Sequence, residues 1–217
     1  MKPLADCRLY TFIDAAYLNN RDPADLARQL IDGGADLIQL RAKNWPEERI
    51  RKTAETLHPI THAAGVRLVI NDHLAIATQV AADLCHLGQE DFFDETGNNP
   101  QPSNLKPQLG LSTHSPAQAE RAMKTDAAYL AVGPVYPTPT KPGRPAVTLE
   151  YVQWAVAHID RPWFAIGGIT LENIGDVLAA GARRICAVSS ILNSPDIPRA
   201  CQQFHQHLAS VPLKQKS

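Results

Sequence analysis

The chain has 217 residues, 44% of them hydrophobic and 20% charged, with 21 basic against 22 acidic side chains, a formal net charge of −1 and a pI near 6.7. That balance suits one α/β domain with a real core and excludes the basic stripe that nucleic acid would require, so any polyanion it binds is small and locally held. No apolar run reaches bilayer length, residues 1–6 lack the core of a signal peptide, and Cys7, Cys85, Cys186 and Cys201 show no C-x-x-C spacing, which together predict no membrane partner, buried reduced thiols and a cytoplasmic protein.

In chain order, short apolar runs predict strands at 8–13, 36–40, 67–70, 84–87, 108–111, 127–131, 162–166 and 184–188. They read as nearly continuous apolar segments, as parallel strands covered on both faces do. Amphipathic segments alternate with them. Asp22-Pro23 predicts a cap and a first helical proline, with Asp25 completing the capping interaction. Ser115-Pro116 with Gln118 repeats the design, Ser194-Pro195 resembles it, and Thr148 and Thr170 are expected to cap two further helices. Gly33-Gly34 and Gly181 are expected stops. The turn-forming stretch 96–104 predicts a surface loop, with a shortened helix at most, where a fourth helix belongs. Eight strand–helix alternations favour a single (β/α)8 TIM barrel spanning residues 1–217, with a disordered tail after about residue 211.

Each expected strand ends in polar or glycine-rich residues. Gln39, Arg41 and Lys43 alternate so that all three project into the barrel mouth, and two cations converging there call for an anion. Asn71-Asp72 and Gly88-Gln89-Glu90-Asp91 place carboxylates at neighbouring strand tips, where a shared cation would relieve their repulsion. Oxygen-only ligands beside a diphosphate suit Mg2+. Read singly, either aspartate more commonly caps the following helix, and Glu90 is a competing ligand. Ser112-Thr113-His114 ends the fifth strand, with His114 left open between ligand contact and a structural role. Thr138-Pro139-Thr140-Lys141 lies in a proline-stiffened loop suited to a lid. Gly167-Gly168 and Val188-Ser189 end the last two strands, where barrels often bind a phosphate. His58 and His62 have helical metal spacing but no third ligand, and His205 and His207 face different ways. No nucleophile–base–acid triad is visible, so covalent catalysis is not supported.

In this order the segments resemble the thiamine-phosphate synthase family from about Leu9 to Leu208. The resemblance implies a (β/α)8 barrel that joins a hydroxymethylpyrimidine diphosphate to a thiazole phosphate, with Mg2+ as cofactor and pyrophosphate as the second product. By position it implies that Gln39, Arg41, Lys43, Asn71 and Lys141 hold the pyrimidine diphosphate, with Arg41, Lys43 and Lys141 stabilising the leaving group. It places Ser112 at the pyrimidine and Mg2+ on Asp72 and Asp91, setting Glu90 aside. Thr138, Thr140, Gly168, Val188 and Ser189 fall on the thiazole phosphate. His73 after Asp72, the proline-rich 98–107 region and Val147-Thr148-Leu149 depart from the family pattern. The alternatives are a thiazole tautomerase, whose relatives tend to lose the aspartate pair, and a non-catalytic thiamine-precursor binder. Assembly into a homo-oligomer is left open.

Overall fold

The computed structural model describes residues 1–95, 107–138 and 146–213. The expectations for 96–104, Thr140, Lys141 and the tail from residue 214 therefore lie outside the described residues. Eight parallel strands close into a barrel in sequence order: β1 Leu9–Asp14, β2 Leu37–Arg41, β3 Arg67–Asn71, β4 Leu84–Leu87, β5 Gln108–Thr113, β6 Tyr129–Val132, β7 Trp163–Ala165 and β8 Ile185–Cys186. The expected TIM barrel is what forms. Several strands run one or two residues further toward the mouth than their apolar cores suggest, carrying Asp14, Arg41, Asn71, Ser112 and Thr113 into regular structure. Those polar positions are held by the ladder itself, for example Asp14 beside Arg41 and Asn71 beside His86.

The intervening helices are α1 Pro23–Asp32, α2 Glu47–Ala63, α3 Leu74–Gln79, α4 Gln89–Glu95, α5 Pro116–Met123, α6 Thr148–His158, α7 Ile174–Ala179, α8 Ser189–Leu192 and α9 Ile197–Ala209. Asp22 caps α1 by accepting from the Ala24 and Asp25 amides, while Asp25 pairs outward with Arg28 instead of completing the cap. Ser115 accepts from Gln118 N, and the Gln118 side-chain oxygen Oε1 accepts from His114 N. Three expected caps are corrected. The cap of α9 is Asp196, which accepts from Arg199 N; Ser194 instead ties the Asp196 backbone. Thr148 has φ 63° and opens α6 with no side-chain cap. Thr170 N donates to Asn173 Oδ1, so the turn before α7 is closed by the asparagine. None of the described helices is long and apolar enough to cross a membrane.

Alternate strand residues fill the barrel. Tyr10, Tyr129 and Phe164 pack edge to face, with ring centroids 5.4–5.7 Å apart, and Tyr10 stacks on Phe12 at 5.2 Å. A Cβ on Gly110 would fall inside the Tyr129 ring, so β5 has a glycine where β6 places its largest inward side chain. Arginines close the floor. Arg161 donates to the Met123, Thr125 and Ala127 carbonyls at 2.7–2.8 Å, while Arg67 and Arg184 hold the Lys2 and Ala5 carbonyls of the N-terminal segment. With that end sealed, ligands enter at the strands' C-terminal mouth.

Candidate active site

Two adjoining cavities open at that mouth. One, of ≈ 780 Å³, is mostly apolar; Tyr10, Phe12, Ala131, Ile166, Ile169 and Cys186 contribute to its walls. The other, of ≈ 730 Å³, is polar and carries Lys43, Asp72, Gly88, Glu90 and Asp91. Arg41, Asn71, His86, Ser112 and His114 stand between them and line both. The arrangement suits a ligand with an apolar ring and a polyanionic arm.

Of the residues expected to handle a diphosphate, the polar cavity brings together Arg41, Lys43 and Asn71, while Gln39 lines only the apolar cavity. Asp72 and Asp91 open on the same space. Asp72 is held in left-handed backbone at φ 65°, its amide donating to His86 O at 2.9 Å, which ties the β3 tip to β4. Asp91 lies in the first turn of α4 and folds its carboxylate back over Gly88, close enough that a Cβ there would collide with it. Among the described residues there is no cluster of three or more His, Cys, Asp or Glu side chains poised around one point. Two carboxylates fit Mg2+, which takes one or two and completes its shell with phosphate oxygens and water. Zinc, which prefers a full protein cage, fits less well.

Arg41 and Lys43, expected to call for an anion, each already face a carboxylate of the protein. Arg41 Nη1 donates to Asp14 Oδ2 at 2.6 Å, and Asp14, only 2% exposed, also accepts from Ala16 N. Lys43 Nζ stands 3.7 Å from Asp72 Oδ2, both groups partly open to solvent. Asp14 escaped the sequence reading because it follows an apolar run as an ordinary turn aspartate would. The signal was its position two residues beyond Phe12 on the inward face of β1.

A second feature was missed altogether. Gln39 Nε2 donates to the Tyr10 hydroxyl, which lies 2.8 Å from Tyr129 Oη. Tyr129 Oη is 2.9 Å from His86 Nδ1, and His86 Nε2 is 2.9 Å from Ser112 Oγ. All five residues are buried. Burial raises both phenols well above their ordinary range, so neither ionises near neutrality. A histidine inside the apolar run Leu84-Cys85-His86-Leu87 was the available clue. His114, left open earlier, lines both cavities and donates from Nδ1 to the Gly133 carbonyl, so its ring is oriented by the neighbouring strand.

The apolar cavity continues under β6, β7 and β8, where Thr138, Val188 and Ser189 line it. Gly168 does not line that wall, and the structure gives it a packing role. Gly167 and Gly168 have φ 103° and 64°, and their missing side chains admit Pro134, Tyr136 and the Pro137 carbonyl. The Val135 and Tyr136 amides bond Ile166 O and Gly167 O at 2.8 and 3.0 Å. The glycines therefore lock the β6 loop onto the β7 loop, and the lock shapes the cavity roof. Cys186 lines the cavity as a protonated thiol, since burial raises its pKa well above the ordinary value. All four cysteines are free and buried, as expected.

A model of the thiamine monophosphate synthase family matches residues 9–191. The chain is 42% identical over 188 residues to a thiamine-phosphate synthase of Thermus thermophilus, covering 86% of this chain and 89% of that protein. It is 39% identical over 203 residues to one of Lawsonia intracellularis, covering 93% and 92%. A thiamine phosphate pyrophosphorylase structure from Pyrococcus furiosus superposes with a TM-score of 0.80 at 26% identity, covering 96% of this chain and 98% of that one. None of these relatives supports the tautomerase or precursor-binding alternatives.

Proposed function

The chain belongs to the thiamine monophosphate synthase family, and from that premise we propose how its residues divide the work of making thiamine phosphate. The bond to be broken joins the exocyclic CH2 of an aminopyrimidine to a diphosphate. Its electron pair leaves with pyrophosphate, and the aminopyrimidine ring stabilises the carbocation. The thiazole nitrogen then donates its lone pair to that carbon. No base is needed, which agrees with the lack of a visible triad.

The pyrimidine lies against the wall shared by the two cavities, between Gln39 and Ser112, with Asn71 beside it. Its diphosphate extends into the polar cavity toward Arg41 and Lys43, with Lys141 assigned to it by the family resemblance alone. Those cations stabilise negative charge as it accumulates on the leaving group. Arg41 is pre-aimed by Asp14, which lowers the cost of ordering it. Asp72 and Asp91 would hold Mg2+, which supplies further electrostatic stabilisation of pyrophosphate. Diphosphate arrival also gives Lys43 an anion to exchange for Asp72, freeing that carboxylate for the cation.

The thiazole phosphate is assigned to the other end, where Thr138, Val188 and Ser189 line the cavity; Thr140 and the Gly168 backbone are assigned to it by the family resemblance alone. The Gly167-Gly168 lock holds this end in register with the first substrate, so the nitrogen faces the CH2. The observation that carries this reading is that one wall joins an apolar cavity to a polar one bearing both aspartates.

Mixing purified protein with both substrates and Mg2+ tests it. Pyrophosphate and thiamine phosphate should appear in equal amounts, and chelating the divalent cation should stop both. Binding of both substrates without pyrophosphate release would refute the catalytic assignment, and full activity in chelator would refute the metal's role.

A further inference from the structure

The buried chain from Gln39 through Tyr10, Tyr129 and His86 to Ser112 has one consistent direction. Gln39 Nε2 can only donate, so the Tyr10 oxygen accepts from it and Tyr10 gives its own hydrogen to Tyr129 Oη. Tyr129 then has one hydrogen left to place, and His86 Nδ1 is 2.9 Å away. With both phenols buried, leaving either phenolic hydrogen unpaired would cost the desolvation of the group. His86 is thereby a neutral imidazole accepting at Nδ1, with its proton on Nε2. That proton goes to Ser112 Oγ at 2.9 Å, so the serine hydrogen turns to the cavity.

The two ends of the chain both line the cavity, and their polarities are coupled. Gln39 has committed its NH2 to Tyr10 and presents its carbonyl oxygen, an acceptor. Ser112 presents a donor. A 4-aminopyrimidine offers the complement, an amino hydrogen beside a ring-nitrogen acceptor. A 4-oxopyrimidine inverts it, offering a carbonyl oxygen beside a ring N–H. Reversing the relay at any point would reverse both ends and favour the wrong ring.

We propose that Tyr129 is a positioning residue which, through Tyr10 on one side and His86 on the other, sets the donor and acceptor poles that select an aminopyrimidine over an oxopyrimidine. This rests on the aminopyrimidine assignment given above. The fold makes a place for it: Gly110 on the neighbouring strand leaves open the space its ring fills, and His86 stacks on that ring at 5.6 Å between centroids. Tyr129 is 0% exposed and no part of either cavity wall, so its effect on a ligand passes through its neighbours.

The test uses protein labelled with 15N at histidine, and the 4-amino and 4-oxo pyrimidine monophosphate esters as unreactive ligands. In the free wild-type protein near neutral pH, His86 should show a protonated Nε2 and an unprotonated Nδ1. Tyr129→Phe should mix the two tautomers and narrow the amino-over-oxo ratio of Kd values by roughly tenfold, while thiazole phosphate affinity stays put. If Tyr129→Phe fails to fold, Tyr10→Phe interrupts the same chain one link earlier and is read the same way. A wild-type proton on Nδ1, or a tautomer and Kd ratio unmoved by the folded variant, would overturn the proposal. A wild type that binds neither pyrimidine would refute the substrate assignment instead, leaving the histidine spectrum to judge the relay alone.

Discussion

At the scale of single residues, charge placement decides most outcomes. Asp72 and Asp91 sit at the polar cavity with substantial solvent exposure, so their neutral amides should fold normally. Asp72→Asn or Asp91→Asn should lower kcat by about 100-fold or more, with a Tm change within a degree or two. A steady-state assay beside a thermal melt separates the two effects. Asp14 is the opposite case. It is buried against Arg41, and Asp14→Ala leaves a guanidinium without its carboxylate, which should cost about 3 kcal/mol in a denaturant titration and weaken diphosphate binding. The nearness of acidic residues at two adjacent strand tips was legible in the sequence, while the choice of Asp91 over Glu90 came from the family resemblance. Asp14, Tyr10, His86 and Tyr129 were not legible, because each sits inside or next to an apolar run where composition alone reads as core. Their meaning comes from a closed barrel that turns every second residue of every strand toward one axis.

At the scale of elements, the order of strands and helices was readable and the exact caps were less so. Asp22-Pro23 and Ser115-Pro116 start their helices as written, since a side-chain acceptor precedes a proline that needs no amide partner. Asp22→Ala should therefore lower stability by about 1 kcal/mol, checked by chemical denaturation. Ser194 was displaced by Asp196, a second capping residue two positions on, and local sequence does not say which of two competent acceptors wins. The glycine pair at 167–168 was read as a close approach to an anion, and the fold adds a second partner, the packed β6 loop. Backbone freedom announces that something comes near, and only the packed β6 loop says what. At Gly110 the partner is the Tyr129 ring, so Gly110→Ala should overpack the barrel centre by about 1–3 kcal/mol and raise the KM for the pyrimidine substrate. Denaturation and steady-state kinetics on the same sample would check both.

At the scale of the whole molecule, the buried thiols tie stability to alkaline pH. Burial is the first cause at each: it raises Cys85 and Cys201 from 9.0 to about 12 and Cys7 from 9.0 to about 11. Above pH 9 the unfolded chain loses these protons while the folded chain keeps them, so the native state binds more protons and unfolding is favoured as pH rises. The thiols' contribution is complete below about pH 9 and lost progressively toward pH 12. Thermal melts should show Tm falling across that window, and Cys85→Ala with Cys201→Ala should flatten the fall while lowering Tm at neutral pH. The central proposal is that the tips of the consecutive strands β3 and β4 bring Asp72 and Asp91 to one divalent cation carrying a diphosphate. Titrating Mn2+ into the protein with and without pyrophosphate, followed by electron spin resonance, addresses that directly. The account predicts one Mn2+ site tightened by pyrophosphate, weakened at least tenfold by either Asp72→Asn or Asp91→Asn, and no weaker in the double variant than a few-fold beyond the singles. Unchanged Mn2+ affinity in both single variants, or two independent sites each lost with one aspartate, would contradict it.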